Sequence, residues 1–412
     1  MNLFKTSFYT SIATAISFIS GFIVTKVVAV KIGPEGMAYL GQFQNTTAIL
    51  TMFGTGAIAS GVIKYLAQYR NDPQKRQQII STATFIVLVF SFTVSMIVVI
   101  CSNFLSEIVF KTHDFWLVYL IFGLLVSTVS FNVIFAAILN GLNYVKQLTL
   151  INTLGSLVGI GITVLSAYYF GVKGVLLSST FLSVIIFCIH LFFLRKIGIV
   201  WRPVIKRPDA SITKMLAGFT LMAVVSGLLV PAIQILIRDR IIHRFTIQEA
   251  GYWQAVVKIS DYYLSFITLV LAVYYVPKLS EIQDRLMLRK EIVFAYKIII
   301  PTVSIIAFAV WICRDLIIKI LFTQEFIPMK PLFTFQLLGD VLKIGSWLLA
   351  TIMIAKAMTK IYIITEFIFA VVYIVLSYYC IEKFGLIGAT YAFCANYGIY
   401  WVCMLFIMKK KI

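Results

Sequence analysis

Two short runs of this 412-residue chain set ionisable and amide side chains at helical spacing inside otherwise apolar sequence. Gln254, Lys258, Asp261 and Ser265 follow one another at intervals of 4, 3 and 4, and Gln336, Asp340, Lys343 and Trp347 repeat that rhythm. Such spacing lays each set along one stripe of an α-helix. Lys26, Arg238 and Glu366 stand in comparable surroundings, and Gln42, Gln44 and Asn45 cluster in a further apolar run. Charge inside a membrane-length helix is costly and normally faces a cavity, a partner or a pathway. Lys and Arg suit phosphate oxygens, so Lys26, Arg238, Lys258 and Lys343 are candidates for binding an anionic group, phosphate among them. Asp261 and Asp340 are candidates for orienting those lysines or binding a coupled ion, with Glu366 as a third carboxylate. Gln42, Gln44, Asn45, Tyr252, Trp253 and Gln254 offer amides and ring faces to a polar ligand, sugars among them. The plainer alternative makes Lys258–Asp261 and Asp340–Lys343 mutually neutralising i,i+3 pairs. Desolvation tends to cancel the Coulomb gain of such buried pairs, and cations outnumber carboxylates here.

The elements that must carry these residues are transmembrane helices. Hydrophobic residues make up 61% of the chain and charged ones only 12%, against about 45–50% and about 25% in soluble domains. A hydrocarbon core of about 30 Å needs about 20 apolar residues. Twelve stretches qualify, at roughly 6–30, 37–63, 79–102, 115–140, 147–170, 174–194, 215–237, 249–277, 292–313, 331–355, 361–381 and 386–408. None alternates as a barrel strand would, and the first reads as a span, not a removable signal. The expected fold is an all-α polytopic membrane protein.

The net charge of +19 comes from 35 Lys and Arg against 16 Asp and Glu. With the N-terminus inside, 21 of the cations fall in cytoplasmic segments, 10 outside and 4 within spans (Lys26, Lys258, Lys297 and Lys343). That asymmetry follows the positive-inside rule and puts both termini in the cytoplasm. Charge spread over short loops is no continuous basic groove, which excludes nucleic acid as a partner. Lys297 has no partner in its own run and can snorkel along its helix.

The halves of the chain correspond at an offset of 214 residues. Glu35 recurs as Glu249, Lys64 as Lys278, Lys75–Arg76 as Arg289–Lys290, and Lys146 as Lys360. The run Phe170-Gly171-Val-Lys-Gly174 recurs as Phe384-Gly385-Leu-Ile-Gly388. Six spans per half give both halves one orientation, so a pseudo-two-fold along the membrane normal is expected, as in transporters built from parallel repeats. Residues 1–196 form an N-terminal lobe, 197–214 a basic cytoplasmic linker and 215–412 a C-terminal lobe. The turn glycines are read as backbone devices, not substrate contacts.

Other chemistry is not indicated. Cys101, Cys188, Cys313, Cys380, Cys394 and Cys403 lie in or beside apolar spans without C-x-x-C spacing, as core thiols do. The three histidines are scattered, so no metal site is expected, and no phosphate-binding G-x-x-x-x-G-K-[ST] loop occurs. No cofactor and no catalytic residue is expected. A membrane glycan polymerase or ligase would need a sizeable outer catalytic loop, and the longest outer segment has about 17 residues. A multidrug or cation antiporter would want carboxylates in excess over cations.

Five stretches together resemble a known family. They are KYLAQYRNDPQ from Lys64, KISDYYLSFIT from Lys258, WICRDLIIKILF from Trp311, QLLGDVLKIGSWLLATIMIAKA from Gln336 and ITEF from Ile364. Across nearly the whole chain the sequence resembles the Wzx-type flippases of lipid-linked oligosaccharides, which include carriers of O-antigen units and of enterobacterial common antigen. They belong to the multidrug/oligosaccharidyl-lipid/polysaccharide exporter superfamily. The resemblance implies two six-helix lobes with a V-shaped central cavity. It also implies a transporter, not an enzyme, of the bacterial inner membrane, working by alternating access in polysaccharide and lipopolysaccharide biosynthesis. The implied substrate is an undecaprenyl-diphosphate oligosaccharide, drawn from the lipid bilayer, with polymerase and chain-length proteins of the same pathway as protein partners. Asp261, Arg314, Asp315, Asp340, Lys343, Lys356 and Glu366 fall on matching positions, and Lys26 and Arg238 on basic ones. Lys258 is a departure, since a close relative within that family has a small polar residue there.

Overall fold

The computed structural model describes residues 3–199, 209–271, 275–356 and 358–411, with side chains from residue 16 onward apart from a few positions. Half of the expected linker, including Arg202, Lys206 and Arg207, lies outside the described residues. So do the side chains of Lys5, Lys410 and Lys411.

The described residues are helical, with no strand among them. The α-helices are α1 (Leu3–Gly54), α2 (Ala59–Gln68), α3 (Pro73–Ile100), α4 (Ser102–Phe110), α5 (Trp116–Gly141), α6 (Val145–Lys196), α7 (Ala210–Arg244), α8 (Ile247–Val270), α9 (Val276–Glu281), α10 (Arg285–Ile312), α11 (Arg314–Leu321), α12 (Leu332–Ala355), α13 (Thr359–Phe384) and α14 (Gly388–Lys411).

Local chemistry sets where these helices start. Asp72 caps α3, its carboxylate accepting from the backbone N–H groups of Gln74 and Lys75 at 3.1 and 3.0 Å, with Pro73 in the first turn. Asp284 caps α10 by accepting from Met287 N at 2.8 Å, and Thr246 caps α8 by accepting from Glu249 N at 3.2 Å. Each cap satisfies amides that the first turn otherwise leaves without partners.

Glycine divides the longest helices. At 1.5 Å per residue, the 52 residues of α6 would run about 78 Å, more than twice a bilayer core. Gly171 breaks it with φ 56° and ψ −138°, and Gly33 breaks α1 with φ 74° and ψ −165°. Gly385, between α13 and α14, has φ 71° and ψ −154°. Essentially only glycine enters this backbone region.

The paired glycine motifs share more than their dihedrals. A Cβ on Gly174 would stand 2.3 Å from the carbonyl oxygen of Ser166, and one on Gly388 would stand 2.0 Å from that of Cys380. Ser166 and Cys380 are themselves 214 residues apart. The Asp caps of α3 and α10, each opening a helix of 28 residues, lie 212 apart.

Seven helical stretches of the described residues are long and apolar enough to cross a membrane, and eight if the bent pair Ala210–Gly218 and Ala223–Arg244 is one span. The sequence leads one to expect twelve. The difference lies in fusion and polarity. Ile16–Gly54, Val145–Lys196 and Thr359–Lys409 each hold two of the expected stretches, while α8, with Glu249, Lys258 and Asp261, is not among the seven. The helices also present large apolar side chains outward, among them Ile100, Phe92, Leu165, Ile305 and Phe406. Apolar surface on this scale requires lipid around it. The chain is a multi-pass membrane protein.

The chain divides into two compact units, one of Met1–Ile32 with Tyr39–Ala232 and one of Gly33–Ala38 with Ile233–Ile412. In the first, α2, α3 and α5 enclose a core of Val62, Leu66, Ile79, Val87, Ile134 and Phe135, closed by Leu194 of α6 and Leu216 of α7. In the second, α12 packs against α14, α10 and α8. The second unit carries both polar stripes.

Candidate functional site

The site is built on α8 and α12 of the second unit, and Asp340 is at its centre. Asp340 is fully buried. The Tyr263 hydroxyl donates to its Oδ2 at 2.5 Å, and Gln336 Nε2, one turn back on α12, donates to Oδ1 at 3.3 Å. A carboxylate removed from water needs such donors on both oxygens.

Lys343, three residues further along α12, does not close an ion pair with Asp340. Among the described residues it has no carboxylate oxygen within 4 Å. Its Nζ instead lies over two rings of α14, 5.9 Å from the Phe393 centroid and 5.8 Å from that of Tyr397. Cation–π contacts of this kind contribute about 0.5–2 kcal/mol, less than a phosphate oxygen at hydrogen-bond distance can supply.

Asp261 is solvent-exposed on α8. It interacts electrostatically with Lys343 first and Lys258 second. Lys258 is half-buried, its Nζ 6.0 Å from the Tyr262 ring, and it feels both Asp261 and Arg238. Arg238, on α7, is fully buried. Its guanidinium donates to Gln254 Oε1 and sits 5.4 Å from the Trp253 ring. Three cations thus share one electrostatic neighbourhood with three carboxylates, because Tyr397 beside Lys343 feels Glu366 as well as Asp340 and Asp261.

The remaining expected residues are placed elsewhere or used differently. Glu366 on α13 accepts from the Tyr400 hydroxyl of α14 at 3.2 Å and is felt by Tyr397 on the same helix. Trp253 is 1% exposed, so its ring serves Arg238 and offers no face to a sugar. Tyr252 is half-buried, edge-on to Phe326 with centroids 6.0 Å apart. Lys26 is exposed on the first unit, which also holds Gln42, Gln44 and Asn45. The Gln42 side chain is buried and donates to the Val109 carbonyl at 3.4 Å. Gln44 is exposed and lines a cavity of about 500 Å³ with Thr47, Thr51, Thr55, Ser179 and Thr180. Asn45 is half-buried.

Sequence reasoning did not reach Tyr263, Phe393 and Tyr397. Tyr263 lies within the KISDYYLSFIT run but off the stripe of Lys258 and Asp261. Its role depends on a residue 77 positions away.

The model of the polysaccharide biosynthesis protein family matches residues 3–283. The chain belongs to that family. A lipid III flippase of Escherichia coli is 30% identical over 414 residues, covering 100% of both chains. Among solved structures, an inward-facing multidrug resistance MATE family transporter of the MOP superfamily matches with a TM-score of 0.80 at 12% identity, covering 98% of each chain. The lipid II flippase MurJ in an inward closed conformation matches with a TM-score of 0.75 at 16% identity, covering 97% of this chain and 87% of that one. This member of the polysaccharide biosynthesis family therefore has the fold that these transporters share.

Proposed function

We propose that the protein is a flippase that moves an undecaprenyl-diphosphate-linked oligosaccharide from the cytoplasmic to the periplasmic leaflet of the bacterial inner membrane by alternating access. The observation that carries this reading is Lys343, a cation within a membrane-spanning helix held against aromatic rings, with Arg238 and Lys258 in the same neighbourhood. The full-length likeness to a lipid III flippase supports the substrate class.

In this reading the twelve stretches are twelve crossings, with both termini cytoplasmic. Two six-helix lobes, 1–196 and 215–412, are related by a pseudo-two-fold along the membrane normal and joined by the basic linker 197–214. Lys343 exchanges its ring contacts for a diphosphate oxygen, and Lys258 adds a second cation. Asp261 keeps the lysines charged and oriented. Arg238 supplies fixed positive potential from its buried seat on Trp253. Lys26, on the first unit, is a further basic contact, and Gln44 and Asn45 meet sugar hydroxyls. The polyprenyl tail stays in lipid. Counting Lys26, the candidate cations outnumber the candidate carboxylates, which speaks against a drug-cation antiporter.

A membrane potential is a sufficient drive. One elementary charge crossing 100 mV is worth about 2.3 kcal/mol, so a doubly charged diphosphate moving outward gains about 4.6 kcal/mol. Complementation of flippase-null strains, each making one defined lipid-linked oligosaccharide, tests the function and assigns the glycan. Rescue of at least one strain is expected, and failure in all of them with the protein present in the membrane contradicts the reading.

A further inference from the structure

The first three turns of α10 present a face that the proposed site does not use. Leu286, Arg289, Lys290, Val293, Phe294 and Lys297 line a cavity of about 480 Å³. Leu286 is 70% exposed and Phe294 57%, and all three cations are exposed. The helix packs through the opposite side, where Leu288, Ile292 and Ala295 are buried. Positions 286, 290, 293 and 297 lie about 200° round the helix from 288, 292 and 295. The basic face therefore looks away from the second unit's own core.

Among the described residues, the cations on this face have no carboxylate partner. Glu291, the acid on the same turns, is taken by Lys278 at 2.6 Å. Among the described residues no carboxylate oxygen lies within 4 Å of Arg289, Lys290 or Lys297. Water does not suit the exposed Leu286, Val293 and Phe294, and hydrocarbon does not suit three bare cations. A lipid with a negative headgroup suits both, with phosphate at Arg289 and Lys290 and acyl chain along Val293 and Phe294. Lys297 lies two turns deeper, about 12 Å along the axis from Arg289, and extends its stem back toward the headgroup.

We propose that this face of α10 binds the phosphate headgroup of an anionic phospholipid resident in the leaflet where α10 begins. The proposal rests on the membrane reading above, and that reading puts the site on the cytoplasmic side. The transported lipid carries phosphate too. The face is assigned to a resident lipid because it lies opposite Leu288, Ile292 and Ala295, the side through which α10 packs within the second unit.

The test is native mass spectrometry of the full chain in detergent, offered phosphatidylglycerol, phosphatidylcholine or undecaprenyl phosphate. It is run on the wild type, on R289Q/K290Q/K297Q, and on the charge-preserving R289K/K290R/K297R. A basic residue near an anionic surface contributes a factor of about five to binding. The neutralised variant should lose phosphatidylglycerol adducts at least about tenfold. Its phosphatidylcholine adducts should match the wild type, which checks the fold, and the charge-preserving variant should keep its phosphatidylglycerol. Equal phosphatidylglycerol retention in all three proteins overturns the proposal. So does a loss confined to undecaprenyl phosphate, which would give the face to the transported lipid. Binding is read without transport, so a failure of the flippase reading would show in flipping assays and leave these adduct counts unchanged.

Discussion

The Tyr263 hydroxyl and the Asp340 carboxylate are joined at 2.5 Å between α8 and α12, and this bond separates Asp340 from its helical neighbour Lys343. Two charges at i,i+3 would ordinarily find each other. Here the acid is satisfied from the neighbouring helix and the base lies over the aromatic rings of α14.

That division can be separated by mutation. Tyr263→Phe removes a hydrogen bond to a buried charged group and should cost about 1.5–3 kcal/mol of stability, read as a lower unfolding temperature in detergent. Asp340→Asn keeps an acceptor for Tyr263 but turns an NH2 group toward Gln336, which must flip its amide to accept, so it should cost less stability than Tyr263→Phe while altering transport through the lost charge. Equal unfolding temperatures for wild type and Tyr263→Phe would contradict the structural role given to this bond.

Arg238 has a stricter requirement. Arg238→Gln leaves the Gln254 oxygen without its donor in a buried site, a loss of about 1–3 kcal/mol. Arg238→Lys keeps the charge but loses the planar guanidinium that faces Trp253. Both variants should be less stable than the wild type by thermal unfolding, with Arg238→Lys retaining more transport. Transport equal in the two variants would remove Arg238 from the electrostatic account.

The glycine motifs make matched predictions in the two halves. Gly174→Ala and Gly388→Ala each drive a Cβ to within 2.3 Å or less of a backbone carbonyl oxygen. Backbone cannot swing aside as a side-chain tip can, so each should cost about 1–3 kcal/mol, visible as reduced folded yield and unfolding temperature. Similar losses at both positions are expected, and a tolerated alanine at either would break the equivalence.

Glu382 joins two arginines of α7, the half-buried Arg240 at 2.7 Å and the exposed Arg244 at 2.9 Å. Exposed pairs contribute little and are screened by salt. Glu382→Gln should therefore shift stability by at most about 1 kcal/mol, with the difference shrinking as salt is raised. A larger, salt-independent loss would mean the bridge is structural.

Much of this was legible in the sequence because hydrophobic length and helical period act along one element. The 4-3-4 spacing put Lys258 and Asp261 on one stripe, and Phe170-Gly171 matched Phe384-Gly385 before any backbone angle was known. The fates of Gln42 and Gln44 were also within reach. Two residues apart on a helix, they face about 200° apart, and one is buried while the other is exposed. Partners across helices were not legible. Nothing near Asp340 in sequence points to Tyr263, and nothing near Lys343 points to Phe393 or Tyr397. Those contacts arise from which helices pack together, which periodicity does not encode. The same blindness hid the burial of Trp253 beneath Arg238, where composition alone suggested a sugar platform.

The central claim is that Lys343 handles the diphosphate of a lipid-linked oligosaccharide. The direct measurement is the initial rate at which such a lipid becomes accessible to an externally added glycosidase in proteoliposomes. Wild type, Lys343→Arg and Lys343→Gln are compared, with and without an imposed potential. The account predicts a loss of at least about tenfold for Lys343→Gln, as expected when a group paired with a charge is removed. It also predicts partial activity for Lys343→Arg and a wild-type rate that falls when the potential is collapsed. Wild-type flipping by a folded Lys343→Gln protein would contradict it.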